Sequence, residues 1–306
     1  MRSAATSFGR HEALADHFAR IRGDALRERW AAVATWHRTR FAPSPTGLLH
    51  LGHVAHAGWL WEVAGALGLE VVIRMEDHDR SRCRPAFERG ILAELAWLGF
   101  HPEPRSLASL QGPPPSPWRQ SDHPARYQVA FDRLEREGRL YGCTCTRGDL
   151  PPPGPDGERR YPGTCRGQPI DGPGRRVVRV ELPDEVVTFD DLLLGPQRQH
   201  PAVEHGDPVI RDAAGQWTYQ FAVVVDDLHD RIGLIVRGED LLTSTGRQVL
   251  LGRLLGRAAP AAVLHHPLLY GADGRKLSKR DGSESVSAMR AAGMTAEEVL
   301  ALAVMS

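Results

Sequence analysis

Between Thr39 and Leu98 the chain alternates strand-like and helix-like segments in an order that few folds can accommodate. Arg40-Phe41-Ala42 reads as a short strand, cut by Pro43-Ser44-Pro45-Thr46-Gly47. Leu48-Leu49-His50-Leu51-Gly52-His53 then opens a helix through Trp59, Leu60 and Val63 that Gly68 ends. Val71 to Met75 is a β-branched run of the kind buried in a parallel sheet, and it closes on Glu76-Asp77. A second helix is expected from Ala86 to about Leu98. Parallel strands need a long crossover and the helices supply it, so the order specifies an α/β fold on a doubly wound parallel sheet.

The remaining segments are read in the same way. Residues 1–37 carry weak helical periodicity at Leu14, Phe18, Ile21, Leu26, Trp30 and Val33 and are expected to form a helical or disordered N-terminal extension. His101 to Pro117 holds six prolines and is expected to be a loop or insertion. Asp122 is the expected cap of a helix containing Tyr127, Phe131 and Leu134, which Gly138 ends. Val177–Glu181 and Leu234–Arg237 read as strands, whereas Tyr219–Asp227 fits helix or strand. Thr295 and Glu298 form a capping box before a last short helix.

No apolar run approaches the roughly 18 residues of a membrane span, and the N-terminus lacks the apolar core of a signal peptide. Four cysteines in 306 residues are too few for a disulfide scaffold. These features predict a cytoplasmic protein without a membrane partner. Thirty-eight basic residues balance 38 acidic ones, which excludes general coating of nucleic acid and leaves only a local patch for such a partner.

Of the basic residues 36 are Arg and two are Lys, and both lysines fall in Arg275-Lys276-Leu277-Ser278-Lys279-Arg280. Asn is absent, so the composition leans toward GC-rich codons, and a surviving Lys is one that Arg could not replace. A compact ammonium on a thin stem suits a phosphate as a point charge, whereas Arg presents a wide fork. Gly271, Gly274 and Gly282 around it would let this loop move. Far upstream, the strand-to-helix turn at His50-Leu51-Gly52-His53 offers unpaired N–H groups and a positive dipole end to a polyphosphate. His50 and His53 share one face of the first turn and could donate to phosphate oxygens, and Gly52 leaves room for a flat base or ribose.

Cys143, Cys145 and Cys165 lie within 23 residues, bridged by a Pro/Gly-rich loop. Three thiolates so placed suggest a tetrahedral zinc site, the alternative being three free thiols. From the residues alone, a water or a nearby carboxylate such as Glu158 is open as the fourth ligand. Cys83 has no partner in this pattern.

The His50-Leu-Gly-His53 and Lys276-Leu-Ser-Lys-Arg280 segments resemble the two signatures of class I aminoacyl-tRNA synthetases. Arg40-Phe-Ala-Pro-Ser-Pro-Thr-Gly, Arg74-Met-Glu-Asp77 and Val236-Arg-Gly-Glu-Asp240 are similar to the glutamyl branch. The resemblance covers about residues 39–285. It implies a Rossmann-like catalytic domain over 38–285, with a zinc-binding, acceptor-side insertion at about 120–205 and a short C-terminal helix over 286–306. It further implies a ligase that joins L-glutamate to AMP from ATP with Mg²⁺. Implied ATP contacts are Pro43, Ser44, His50, Gly52, His53, Lys276 and Lys279, with His50, His53 and Lys279 acting on the transition state. A glutamate ligand needs cations for its carboxylates and an anion for its ammonium. Arg40 and Arg237 are the candidate forks, Glu76 the ammonium partner and Tyr219 a wall, and the resemblance implies these four together with Ser44. The Cys-x-Cys…Tyr-x-x-x-Cys pattern of the small glutamyl-type enzymes implies Tyr161 as the fourth zinc ligand.

Twenty-seven residues follow Lys279, too few for the anticodon-binding region of a glutamyl-tRNA synthetase. The chain thus resembles the short glutamyl-Q tRNA(Asp) synthetases, in which the glutamyl group goes to queuosine in the anticodon stem-loop of tRNA(Asp). Val223, four residues after Tyr219, stands where the long enzymes usually carry Asn. The expected state is a monomer. Rival readings are a glutamate-activating ligase with another acceptor, either a tRNA 3′ end or a small amine, and a silent RNA-binding paralogue.

Overall fold

Helix α1 (Gly23–Val33) leads into strand β1 (Arg38–Phe41), and Leu26 and Trp30 of the helix are buried in the main core. The computed structural model describes residues 23–154, 157–268 and 284–305. Strand β1 continues through the loop at 42–49 into helix α2 (Leu51–Leu67) and strand β2 (Glu70–Ile73). The two strands pair in parallel, Arg38 opposite Glu70 and Phe41 opposite Ile73. Helix α2 buries Val54, Ala57, Leu60, Val63 and Leu67, and Gly68 ends it in the left-handed conformation at φ 66° with its N–H turned back on Ala64 and Gly65.

Helix α3 (Pro85–Trp97) follows as expected. The proline-rich stretch after it is not a plain loop. Glu103 accepts from the N–H groups of Arg105 (3.0 Å) and Ser106 (2.7 Å), and Pro104 sits where a helix tolerates proline, so α4 (Pro104–Gln111) forms there. The next helix, α5 (Pro124–Arg136), is preceded by His123 and not capped by Asp122. The Asp122 carboxylate is occupied by the Ser116 N–H (2.9 Å) and by Arg119 (2.8 Å).

Strands β3 (Leu140–Cys143) and β4 (Val177–Val180) come next, then β5 (Val187–Asp191) and β6 (Gly195–Gln199). A short helix α6 (Pro201–Glu204) precedes β7 (Val209–Arg211). The ambiguous segment is helix α7 (Tyr219–His229), buried from Phe221 through Asp227. An apolar run covered on all sides carries no period from which strand and helix can be told apart. The chain then forms β8 (Leu234–Gly238), α8 (Thr245–Leu254), β9 (Ala262–His266), α9 (Val286–Ala291) and α10 (Ala296–Met305). The expected capping box opens α10, with Thr295 and Glu298 satisfying each other's N–H groups.

The fold is α/β with a parallel sheet. One sheet runs β6-β5-β9-β8, parallel except for the edge strand β6. The β1–β2 pair abuts its β8 side, where the Gly233 N–H donates to the Arg38 carbonyl at 2.9 Å. A Cβ at Gly233 would overlap the Trp36 carbonyl oxygen, so only glycine permits this approach. Strands β3, β4 and β7 make a separate antiparallel sheet, packed with α5, α7 and α8 around Phe131, Val180, Ile210 and Phe221. The carboxyl ends of β1, β2, β8 and β9 converge, which is where open α/β sheets bind ligands. Among the described residues no helix is long and apolar enough to cross a membrane.

Gly233→Ala is expected to cost on the order of 2–4 kcal/mol, because backbone must move to admit the methyl group. Urea unfolding followed by circular dichroism measures this directly.

Candidate active site

Arg74, one residue beyond β2, is only 1% exposed and sits among four carboxylates. Its terminal nitrogens meet Asp227 at 2.9 Å, Asp230 at 3.0 Å and Glu76 at 3.1 Å, and Nε lies 4.0 Å from Asp226. Three of these acids come from the last turn of α7 and the residue after it, the negative end of a helix dipole, where acids are unfavourable without a cation. Burial alone would depress the Arg74 pKa, but the carboxylates of Asp227, Asp226, Glu76 and Asp230 raise it well above its usual value. Asp226 also accepts from Gln120 (2.7 Å), Arg126 (2.8 Å) and Tyr127 (2.9 Å).

Arg40, at 5% exposure near the end of β1, donates through Nε to Asp227 at 3.0 Å. Burial opposes ionisation of Asp227, but Arg40 and Arg74 outweigh it and hold this carboxyl below the ordinary range. Glu76 shows the reverse balance: burial pushes its pKa up despite Arg74 and Arg40.

Arg237 of β8 is 4% exposed and is held by neutral acceptors: Gln248 Oε1 at 2.7 Å, Thr245 Oγ1 at 2.7 Å and His265 Nε2 at 3.0 Å. Among the described residues no carboxylate oxygen comes within 4.0 Å of it. Burial lowers its pKa, and Tyr219 and Asp227 offset that loss only in part. A buried guanidinium without a countercharge is a standing demand for an anion. Tyr219, the first residue of α7, is half-buried beside it, its phenol pushed up by burial and within electrostatic reach of Arg237, Glu76 and Arg40. The four residues singled out for an amino-acid ligand thus face one another. Ser44 is exposed on the loop after β1. This loop is fixed by the Pro43 carbonyl, which accepts the Glu76 N–H at 3.0 Å, and by the Pro45 carbonyl on Arg84.

His50 is the N-cap of α2 and accepts the Gly52 N–H on Nδ1 at 3.1 Å, while the His50 N–H donates to His53 Nδ1 at 3.2 Å. With both Nδ1 atoms accepting, a neutral ring at either position carries its proton on Nε2. The segment beyond the lysine loop is tied to the same place. Ser285 bridges to His50, and the Val286 N–H donates to the Leu49 carbonyl at 2.8 Å. Buried Glu94 of α3 clamps both sides, accepting the Leu49 N–H at 2.8 Å and the Ser287 N–H at 2.9 Å. Lys276 and Lys279 themselves lie outside the described residues.

Cys143, Cys145 and Cys165 place their sulfurs within 4.8 Å of one another, with Cys145 and Cys165 at 3.6 Å. A tetrahedral site with Zn–S bonds of about 2.3 Å has edges near 3.8 Å, so the trio fits such an ion. The Tyr161 hydroxyl accepts the Cys165 N–H at 2.8 Å, and burial followed by the neighbouring Cys143 thiol raises its pKa. Burial works against ionising Cys165, but donors from Thr144, Tyr161 and the other thiols bring it down to about 6. Cys145 is pushed up to about 12 by burial and then by the neighbouring thiols. Glu158, the alternative ligand, is instead engaged by Arg247 (2.9 Å) and His205 (3.1 Å).

Sequence reasoning did not single out Asp226, Asp227, Asp230, His265, Asp191, Thr245 or Gln248. The Asp226-Asp227-x-x-Asp230 spacing at the end of an apolar segment was the available signal, because acids there need a buried cation.

Residues 37–305 match the family described as tRNA synthetases class I (E and Q), catalytic domain. The chain belongs to this family and is an enzyme of the ligase class. It is 42% identical over 278 residues to the glutamyl-Q tRNA(Asp) synthetase of Symbiobacterium thermophilum, covering 85% of this chain and 83% of that protein. The protein of the same name from Nitratidesulfovibrio vulgaris is 41% identical over 279 residues, covering 86% and 83%. The crystal structure of glutamate-tRNA synthetase from Elizabethkingia anophelis superposes with a TM-score of 0.65 at 30% identity, over 81% of this chain. The chain spans about half, 53%, of the length of that longer enzyme.

Arg74→Met is expected to destabilise the protein by about 3–5 kcal/mol at neutral pH, because four buried carboxylates lose their cation. Those carboxylates would then take up protons in the folded state of the variant as pH falls. The deficit should therefore shrink as pH falls toward 5, which urea titrations of both proteins at several pH values would measure.

Proposed function

We propose that this enzyme activates L-glutamate with ATP as glutamyl-adenylate and transfers the glutamyl group to the queuosine base at the wobble position of tRNA(Asp). The observation that carries the glutamate reading is Arg237, a buried guanidinium held only by neutral groups, facing Glu76, Arg40 and Tyr219. A ligand with two carboxylates and one ammonium completes that set. Arg237 and Arg40 take the carboxylates and ionised Glu76 the ammonium. The ammonium would also lower the raised pKa of Glu76, so binding favours the charged form it needs.

In this reading the polyphosphate lies at the start of α2, where Pro43, Ser44 and Gly52 shape the turn and His50 and His53 direct Nε2–H donors toward it. A glutamate carboxylate oxygen attacks the α-phosphorus of ATP, the bond to the bridging oxygen breaks, and pyrophosphate leaves with the electron pair. Lys276 and Lys279 would balance the charge that develops on the leaving group. Mg²⁺, bound with ATP, supplies charge neutralisation of the phosphates. No protein nucleophile is needed, so rate comes from orientation and electrostatics. An acceptor hydroxyl on the queuosine then attacks the acyl carbon and AMP departs.

The reading takes the chain as a cytoplasmic monomer, with residues 38–285 as the catalytic unit and about 120–205 as an insertion toward the tRNA. One structural Zn²⁺ would be held in that insertion by Cys143, Cys145, Cys165 and Tyr161. Arg179 packs 3.7 Å over the Tyr161 ring and supports it in place. Gly206, at φ 74°, lets the backbone pass beneath the Tyr161 carbonyl, where an added Cβ would overlap it.

The acceptor is tested with labelled glutamate, ATP and two tRNA pools, one containing queuosine and one lacking it. Label confined to the queuosine pool is expected, and label in both pools would mean ordinary 3′ charging. The metal is tested by native mass spectrometry. One zinc per chain is expected, lost in Cys165→Ser. In Tyr161→Phe it should be retained but bound roughly 10–100-fold more weakly against a chelator.

A further inference from the structure

Arg237 is oriented by a pair of buried residues that the activation chemistry does not touch. Asp191, at the end of β5, and His265 of β9 are both fully buried. Asp191 Oδ1 accepts the N–H groups of Leu193 (2.9 Å) and Leu194 (2.8 Å), which fixes the carboxylate on its own turn. Its Oδ2 accepts the His265 N–H at 3.1 Å and meets Nδ1 at 2.6 Å. A carboxylate can only accept, so the Nδ1 proton points at Asp191 and Nε2 is left with a lone pair. That lone pair receives the Arg237 Nε–H at 3.0 Å, with Thr245 Oγ1 3.1 Å away. The polarity runs one way, from carboxylate through imidazole to guanidinium. A doubly protonated or turned imidazole would set an N–H against the Arg237 N–H, and burial keeps this ring neutral.

Nε is the atom that sets the plane of a guanidinium. Gln248 and Thr245, both on α8, hold the two terminal nitrogens, so the three contacts leave Arg237 one orientation. We propose that Asp191 and His265 are positioning residues: together they aim the Arg237 guanidinium at a carboxylate of the substrate. The inference rests on the reading that Arg237 binds glutamate. Its distinctive consequence is selective, because an Arg237 free to turn loses affinity for glutamate while the ATP end of the site is untouched.

The test uses the full chain in glutamate-dependent ATP–pyrophosphate exchange, with KM measured separately for glutamate and for ATP. His265→Leu removes the acceptor at similar volume, and His265→Gln restores one through its side-chain oxygen. The expected result is a glutamate KM raised roughly 10–100-fold in His265→Leu, from a buried donor left unpaired. ATP KM should stay within about 3-fold, and His265→Gln should recover most of the loss. Asp191→Asn keeps the shape but offers an N–H to the imidazole, turning its proton toward Arg237. It should raise the glutamate KM selectively as well, and it carries the test if His265→Leu does not fold. A glutamate KM unchanged in Asp191→Asn or in folded His265→Leu overturns the proposal, as does an equal rise in both KM values. Absence of glutamate-dependent exchange in the wild-type protein would instead overturn the glutamate reading beneath it.

Discussion

One buried guanidinium organises the catalytic face. Arg74 is bound by Glu76 from its own strand end and by Asp226, Asp227 and Asp230 from α7, so it joins β2 to a helix over 150 residues later. Dehydrating so many charges is expensive, and an ion cluster of this kind is a poor source of net stability. What it supplies is placement. A helix whose C-terminal end carries three acids, all engaged with one cation, cannot slide or rotate without leaving a charge unpaired. Its first residue, Tyr219, is thereby fixed, roughly 12 Å back along the helix axis from Asp227 at 1.5 Å per residue.

The same cluster makes the two candidate forks unequal. Arg40 reaches the pocket already balanced by Asp227, whereas Arg237 stands among amide, hydroxyl and imidazole. Asp227 therefore shields one side of the pocket and leaves the other electropositive. Glu76 belongs to both systems: it helps neutralise Arg74, yet burial keeps its proton affinity high. In the proposed glutamate reading an incoming ammonium resolves that tension and an incoming anion alone does not, which would favour a zwitterion over a simple dicarboxylate.

The order of elements from β1 to α3 was legible because a β-branched run, a capping glycine and helical spacing each report local geometry. Arg40, Glu76, Tyr219 and Arg237 could be marked because strand ends and the family resemblance pointed to them. Other features need the fold. Gly233 is an unremarkable glycine until the Trp36 carbonyl is found where its Cβ would be. Glu103 turns a proline-rich stretch into a helix through side-chain hydrogen bonds that proline counting does not register. The spacing of Asp226, Asp227 and Asp230 signals acids in need of a cation, but only the fold shows that Arg74 is the one that meets them. His265 and Asp191 lie 74 residues apart, and nothing local in either segment signals the other. What the sequence hides is pairing at a distance between residues ordinary in their own surroundings.

In the proposed reading two signatures separated by more than two hundred residues act on one nucleotide, and the described residues that flank the second one meet α2. On one side of the lysine-bearing segment, His266 at the end of β9 meets His56 in the second turn of α2 at 3.1 Å. On the other, Ser285 bridges to His50 at the helix start, and Glu94 holds Leu49 and Ser287 together. Both flanks are thus anchored to the element whose N-terminus is the proposed anion site. Fixing the ends of a loop removes most of its closure cost before any ligand arrives. In the proposed reading, the anion site also accounts for the two lysines in a chain otherwise committed to arginine. A phosphate held by backbone N–H groups and two imidazoles has donors with directional demands, and what it lacks is a compact charge without a fixed plane.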